Sequence, residues 1–129
     1  MQTIIIAVKG VFFMKRGFYV TIAETGKYYG RFPFKAGGIV KISKDRGNGR
    51  RKGIRVTLPL LGIIGYLAPE GEMLVEGTLG ADKIYNKIGN YAYAQIMFVS
   101  DFSVIAKILH PKEVEKTPYL RAYRKRKVA

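Results

Sequence analysis

The stretch Lys35–Pro59, KAGGIVKISKDRGNGRRKGIRVTLP, decides how the chain is read. Ile39, Val40 and Ile42 lead in, Ile54, Val56 and Leu58 lead out, and in the second run the apolar residues alternate with Arg55 and Thr57. A period of two marks a strand with one buried face, because successive side chains point to opposite sides of a pleated backbone. Between the runs, Gly47, Asn48 and Gly49 accept the left-handed backbone that a chain reversal needs. The stretch therefore predicts an antiparallel hairpin. Its tip carries Arg46, Arg50, Arg51 and Lys52, its stems carry Lys41, Lys44 and Arg55, and Asp45 alone opposes them. Cations packed this densely repel one another, and a polyanion relieves the repulsion; a phosphate backbone is the commonest such partner.

Composition points the same way. The 129 residues carry 23 Lys and Arg against 9 Asp and Glu, a net charge of +14, and an imbalance of that size concerns partners rather than fold. Nucleic acid, DNA or RNA, is the leading partner and an anionic membrane surface the other. A chain of this length forms one core, burying about two thirds of its unfolded surface without a metal or disulfide staple. Cysteine is absent, which excludes disulfides and thiolate chemistry. The lack of Trp, the few amides and the wealth of Ile, Tyr, Lys and Arg give a thermophile-like composition. In MQTIIIAVKGVFF, Lys9 interrupts the apolar run and Lys15 and Arg16 follow it, the reverse of the order in a signal peptide, and no run reaches the roughly 18 apolar residues of a membrane span. The expectation is a soluble cytoplasmic protein with no membrane partner.

Outside the hairpin the chain also reads as strands. Thr3–Phe13 and Phe18–Glu24 are β-branched and aromatic and are expected to pair across a turn at Met14–Gly17. Tyr28–Phe34 reads as a third strand, LLGIIGYL after Pro59 as a strand or buried turn, Glu72–Thr78 as a short strand, and Gly80–Asn90 as a short helix. Tyr91–Leu109 reads as one long strand bending at Ser100–Asp101, with Ile96, Phe98, Phe102, Val104, Ala106 and Ile108 on one face. Thr117–Pro118 has the form of an N-cap followed by proline in the first helical turn, ahead of the basic run Arg124–Lys127. The fold class that results is all-β or β-dominated: a small barrel or strongly bent antiparallel sheet of OB or SH3-like character with one or two short helices. Residues 1–111 form the domain and 112–129 a basic C-terminal helix or tail.

Bases stack on aromatic rings while Lys and Arg hold phosphates, so interleaving of the two residue types is the pattern to look for. Tyr28, Tyr29 and Arg31 make one such cluster, with Tyr29 and Arg31 expected on one strand face; Arg121, Tyr123, Arg124, Lys125, Arg126 and Lys127 make another. Phe18, Phe32 and Phe34 are expected in the core, and about half of the tyrosines at the surface. With the hairpin cations these clusters form the expected nucleic-acid-binding set.

The run Gly53–Pro59, GIRVTLP, followed by Leu67–Glu76, LAPEGEMLVE, resembles the strand, proline and L-x-P-G-D-x-V cadence of AbrB-type swapped-hairpin transcription factors over about a fifth of the chain. That family places a short polar helix where this chain has LLGIIGYL. The resemblance implies an obligate dimer that regulates transcription. Chemistry finds less support: His110 is the one histidine, and Glu70, Glu72 and Glu76 form the one acidic cluster, placed on a shared strand face by alternation as a candidate divalent-cation site for a nuclease. The sequence reading is a non-catalytic nucleic-acid-binding protein without cofactor. Its alternatives are a structural component of a nucleoprotein particle, such as a virion or ribosome, and the AbrB-like regulator, both of which predict oligomers.

Overall fold

The computed structural model describes residues 18–46, 53–71, 73–101 and 103–110. Six strands, β1 (Tyr19–Ala23), β2 (Ile39–Asp45), β3 (Gly53–Leu58), β4 (Gly62–Leu67), β5 (Tyr91–Val99) and β6 (Val104–Ile108), close into a barrel in the order β1-β4-β3-β2-β5-β6. Every neighbouring pair is antiparallel. This is the small β-dominated barrel that the patterning predicts, and closure leaves no edge strand open to further pairing.

The predicted hairpin is β2 and β3, paired from Lys41 with Thr57 to Asp45 with Gly53. Alternation holds along the hairpin: Val40, Ile42, Ile54 and Val56 point inward with Val20, Ile22, Ala94, Ile96, Val104 and Ala106, and all are buried. A short helix, α1 (Ala81–Tyr85), sends Ala81 and Ile84 into that core. LLGIIGYL is a strand because β1 must cross close above it: a Cβ on Gly65 would lie 3.0 Å from the Ala23 carbonyl oxygen and 3.0 Å from Ile22 Cγ2. Gly65 makes room for that approach, Gly62 takes a positive φ at the start of the strand, and the segment that departs from the AbrB cadence is β4 rather than a polar helix.

Several expectations are corrected. Tyr28–Phe34 is not a strand. Glu24, at φ 60°, turns the chain out of β1 into a 3-10 turn at Thr25–Lys27, and local bonds follow from Tyr28 N and Gly30 N to the Thr25 carbonyl and from Phe34 N to the Arg31 carbonyl. With β4 and β6 holding both edges of β1, no edge remains for this segment to join. The 73–78 segment is likewise turns, broken by Gly71 and Gly77 at positive φ; only Leu79 bridges to Val20, and Glu72 lies outside the described residues.

The third correction concerns Tyr91–Leu109, where the expected bend is a complete reversal. The Ser100 N–H donates to the Ser103 carbonyl at 2.9 Å, and β5 and β6 pair as a hairpin. A bulge between Ile96 and Phe98 shifts the alternation, so Ile96, Val99, Val104, Ala106 and Ile108 face inward while Phe98 pairs with Ile105 outside; Phe102 lies outside the described residues. The predicted helix is also shorter than Gly80–Asn90, with residues 86–90 in turns and bends. Of the three phenylalanines expected in the core, Phe34 is buried, Phe18 is 40% exposed and Phe32 81% exposed, because the segment carrying Phe32 is a surface turn. The expected strand Thr3–Phe13, its turn, the C-terminal helix and the boundary near residue 111 lie outside the described residues. No helix among the described residues is long and apolar enough to cross a membrane.

Candidate nucleic-acid interface

Strand parity sets which side chains meet on the outside of the barrel. Across β5, β2 and β3, Tyr93, Lys41 and Thr57 form one outward row; Tyr91, Ser43 and Arg55 form the next, which continues to Tyr66 on β4. Neighbouring rows on one face lie about 7 Å apart along a strand, near enough for long side chains to touch. Lys41 uses this reach: its ammonium lies over the Tyr91 ring, 4.6 Å from the centroid, and the Tyr91 and Tyr93 rings meet edge to face at 5.8 Å. Such contacts hold a cation by the quadrupole of the ring without neutralising it.

Toward the hairpin tip, the Lys44 ammonium lies 4.5 Å from the centroid of Tyr85 on α1. Arg46 donates to the Asn90 side-chain oxygen at 3.3 Å, and the Lys44 N–H to the Asn90 carbonyl at 3.1 Å, which ties the end of β2 to the segment entering β5. Asp45, the one acid in β2, β3 and β5, is 2% exposed. The Tyr66 hydroxyl donates to its Oδ2 at 2.5 Å, and Arg55 Nη1 lies 3.7 Å from its Oδ1. The carboxylate is thus turned away from solvent, while Arg55 keeps 40% of its side chain exposed. Lys41, Lys44, Arg46 and Arg55, four of the predicted residues, are gathered on one wall and its end.

The other predicted cluster is dispersed. Tyr28 packs against Tyr66 at 6.4 Å between centroids, which joins it to the rim of this wall. Tyr29 donates from its hydroxyl to the Leu61 carbonyl in the β3–β4 turn at 3.3 Å, whereas Arg31 donates to Asp101 in the β5–β6 turn at 2.7 Å. They reach different turns instead of sharing a face. Arg50, Arg51, Lys52, Arg121, Tyr123, Arg124, Lys125, Arg126 and Lys127 lie outside the described residues.

Tyr91 is the residue that sequence reasoning missed. It is 53% exposed, and the signal was present, since the face opposite the expected apolar one on this strand begins Tyr91, Tyr93, Gln95.

Charge is also sorted within the described residues, which hold 10 basic and 6 acidic side chains. Within the described part, the acids other than Asp45 lie in loops and in α1, and three pair with loop or helix cations: Glu24 with Lys27 at 3.2 Å, Asp101 with Arg31 at 2.7 Å, and Glu70 with Lys83 at 3.5 Å. Glu70 is thereby committed to Lys83, and among the described residues no group of three His, Cys, Asp or Glu is placed to hold a metal ion. A cleft of about 520 Å³ opens on the far side of the barrel, lined by Thr21, Thr25, Arg31, Val75, Asp101 and Ser103 among others. The cation at that cleft, Arg31, is already paired with Asp101. No protein-family model matches the chain, and no curated protein and no solved structure matches it.

Proposed function

We propose that this protein binds nucleic acid without catalysis, laying the phosphate backbone along the outer face of β5, β2 and β3 and drawing it there with the basic segments at the hairpin tip and the C-terminus. The observation that carries the reading is the segregation of charge. Lys41 and Arg55 stand on the outer face of one wall, Lys44 and Arg46 at its hairpin end, and the wall's one acid, Asp45, is buried beneath Tyr66 and Arg55. A wall arranged this way presents positive potential to solvent, where phosphates are attracted and counterions released.

The test is fluorescence anisotropy with single- and double-stranded DNA and RNA at two salt concentrations. With about six phosphates engaged, log affinity falls against log salt with a slope of about −4 to −5. Affinity that is retained with no salt dependence contradicts the reading. Labelled DNA and RNA stay intact with magnesium or manganese; cleavage abolished by Glu72→Gln or Glu76→Gln contradicts the non-catalytic part.

A second reading, a structural component of a nucleoprotein particle, is favoured by the basic runs Arg50–Lys52 and Arg124–Lys127 in a chain of net charge +14. Clustered cations of this kind suit a protein that fills gaps between nucleic-acid segments. Gel filtration separates the readings: a simple binder elutes as a monomer, and an assembly component or an AbrB-like dimer elutes larger.

A further inference from the structure

Resting on the nucleic-acid reading, we infer that the ligand is single-stranded and that Tyr91 is its base-stacking platform. Tyr91 opens β5 on the outward row that also holds Ser43 and Arg55. Its ring is braced, not loose. Lys41 covers one face at 4.6 Å, Tyr93 meets it edge to face at 82°, and Tyr93 itself is 8% exposed. A ring held by Lys41 and Tyr93 in a residue still 53% exposed keeps part of its surface in solvent.

That exposed surface lies among cations. Lys41 is in contact with the ring, and Arg55 stands two strands away along the row, about 10 Å at ordinary strand spacing. A base stacked on Tyr91 therefore has cations within reach for the phosphates beside it. Only unpaired nucleotides offer this, because in a duplex each base face is already covered by its neighbours. A platform fixed in advance by Lys41 and Tyr93 also loses little conformational freedom on binding. Stacking is tolerant of base identity, so the site tracks strandedness rather than sequence.

The experiment compares the parent protein with Tyr91→Ala and Tyr91→Phe, on a short single strand of mixed sequence and on the matching duplex, across a salt series. Tyr91→Ala is expected to bind the single strand roughly 5- to 150-fold more weakly, to keep the parent's salt slope, and to bind duplex within about twofold of the parent. Tyr91→Phe, which keeps the ring and loses the hydroxyl, is expected to bind like the parent. The inference is overturned if Tyr91→Ala leaves single-strand affinity unchanged or weakens both ligands equally, or if Tyr91→Phe falls as far as Tyr91→Ala, which would make the hydroxyl a phosphate contact. Failure of the underlying reading looks different: the parent protein binds neither ligand at low salt. Thermal melting of both variants at the parent temperature confirms that the fold is untouched, as expected for an outward, half-exposed side chain.

Discussion

The two sides of the barrel are built on the same strands and finished in opposite ways. On the β1 side the chain covers itself: the Thr21 hydroxyl points outward yet is 2% exposed, accepts from the Val75 N–H at 3.1 Å and meets the Thr78 hydroxyl at 2.8 Å. Cations in the flanking loops and in α1 lean on carboxylates, Lys27 on Glu24, Arg31 on Asp101 and Lys83 on Glu70. On the β5–β2–β3 side, the Lys41 and Lys44 ammonium groups lie over tyrosine rings, and the one acid, buried Asp45, pairs with Arg55. The first side sets three of its cations against three acids, whereas Lys41, Lys44, Arg46 and Arg55 stand against one acid, so the two sides differ in the field they present although both hold cations.

The largest effect belongs to what both sides share. Ile42 is fully buried on β2, one residue from Lys41, and Ile42→Ala is expected to cost about 3 to 4 kcal/mol in urea unfolding, through lost burial and the cavity left behind. A cost below about 1 kcal/mol would mean that the barrel interior is not packed as described.

Next comes the covered side. Thr21→Val keeps the shape but leaves the Val75 N–H without its acceptor, an expected loss of about 1 to 2 kcal/mol, with nucleic-acid affinity unchanged. Tyr66→Phe strips Asp45 of a buried donor and is expected to destabilise by a similar amount, but it also loosens the Asp45–Arg55 arrangement, so its effect extends to binding. If Thr21→Val weakened binding as much as Tyr66→Phe, the division into two sides would fail.

The sequence made the barrel legible where a strand had a clean period of two and a clear end. The hairpin from Ile39 to Leu58 is such a case, since its pattern is the burial pattern of a barrel wall. It misled where local preference and tertiary supply conflict. Tyr28–Phe34 has strand-forming residues, but closure had already used both edges of β1, and Gly26, Gly30 and Pro33 let the segment fold into turns. The bulge near Ile96 was illegible because one extra residue inverts which side chains face inward without altering composition. For the site, the basic stems of the hairpin were readable from charge. The burial of Asp45 and the bracing of Tyr91 were not, because both depend on residues from other strands: Tyr66 and Arg55 in one case, Lys41 in the other.

The smallest expected stability effect is that of removing cations from the open wall. Lys41→Ser, Lys44→Ser, Arg46→Ser and Arg55→Ser together should shift stability by no more than about 1 kcal/mol, because partly exposed charges contribute little and their mutual repulsion is relieved.

The same quadruple variant supplies the measurement that tests the central claim most directly. Its salt slope for nucleic-acid binding is compared with that of a control carrying Lys27→Ser, Arg31→Ser, Lys35→Ser and Lys83→Ser, which loses the same net charge from the loops and α1. If phosphates lie along β5, β2 and β3, the wall variant loses about 3 from the slope and the control keeps the parent value. Equal losses in the two variants would contradict the account, because binding would then respond to total charge and not to the wall that concentrates it.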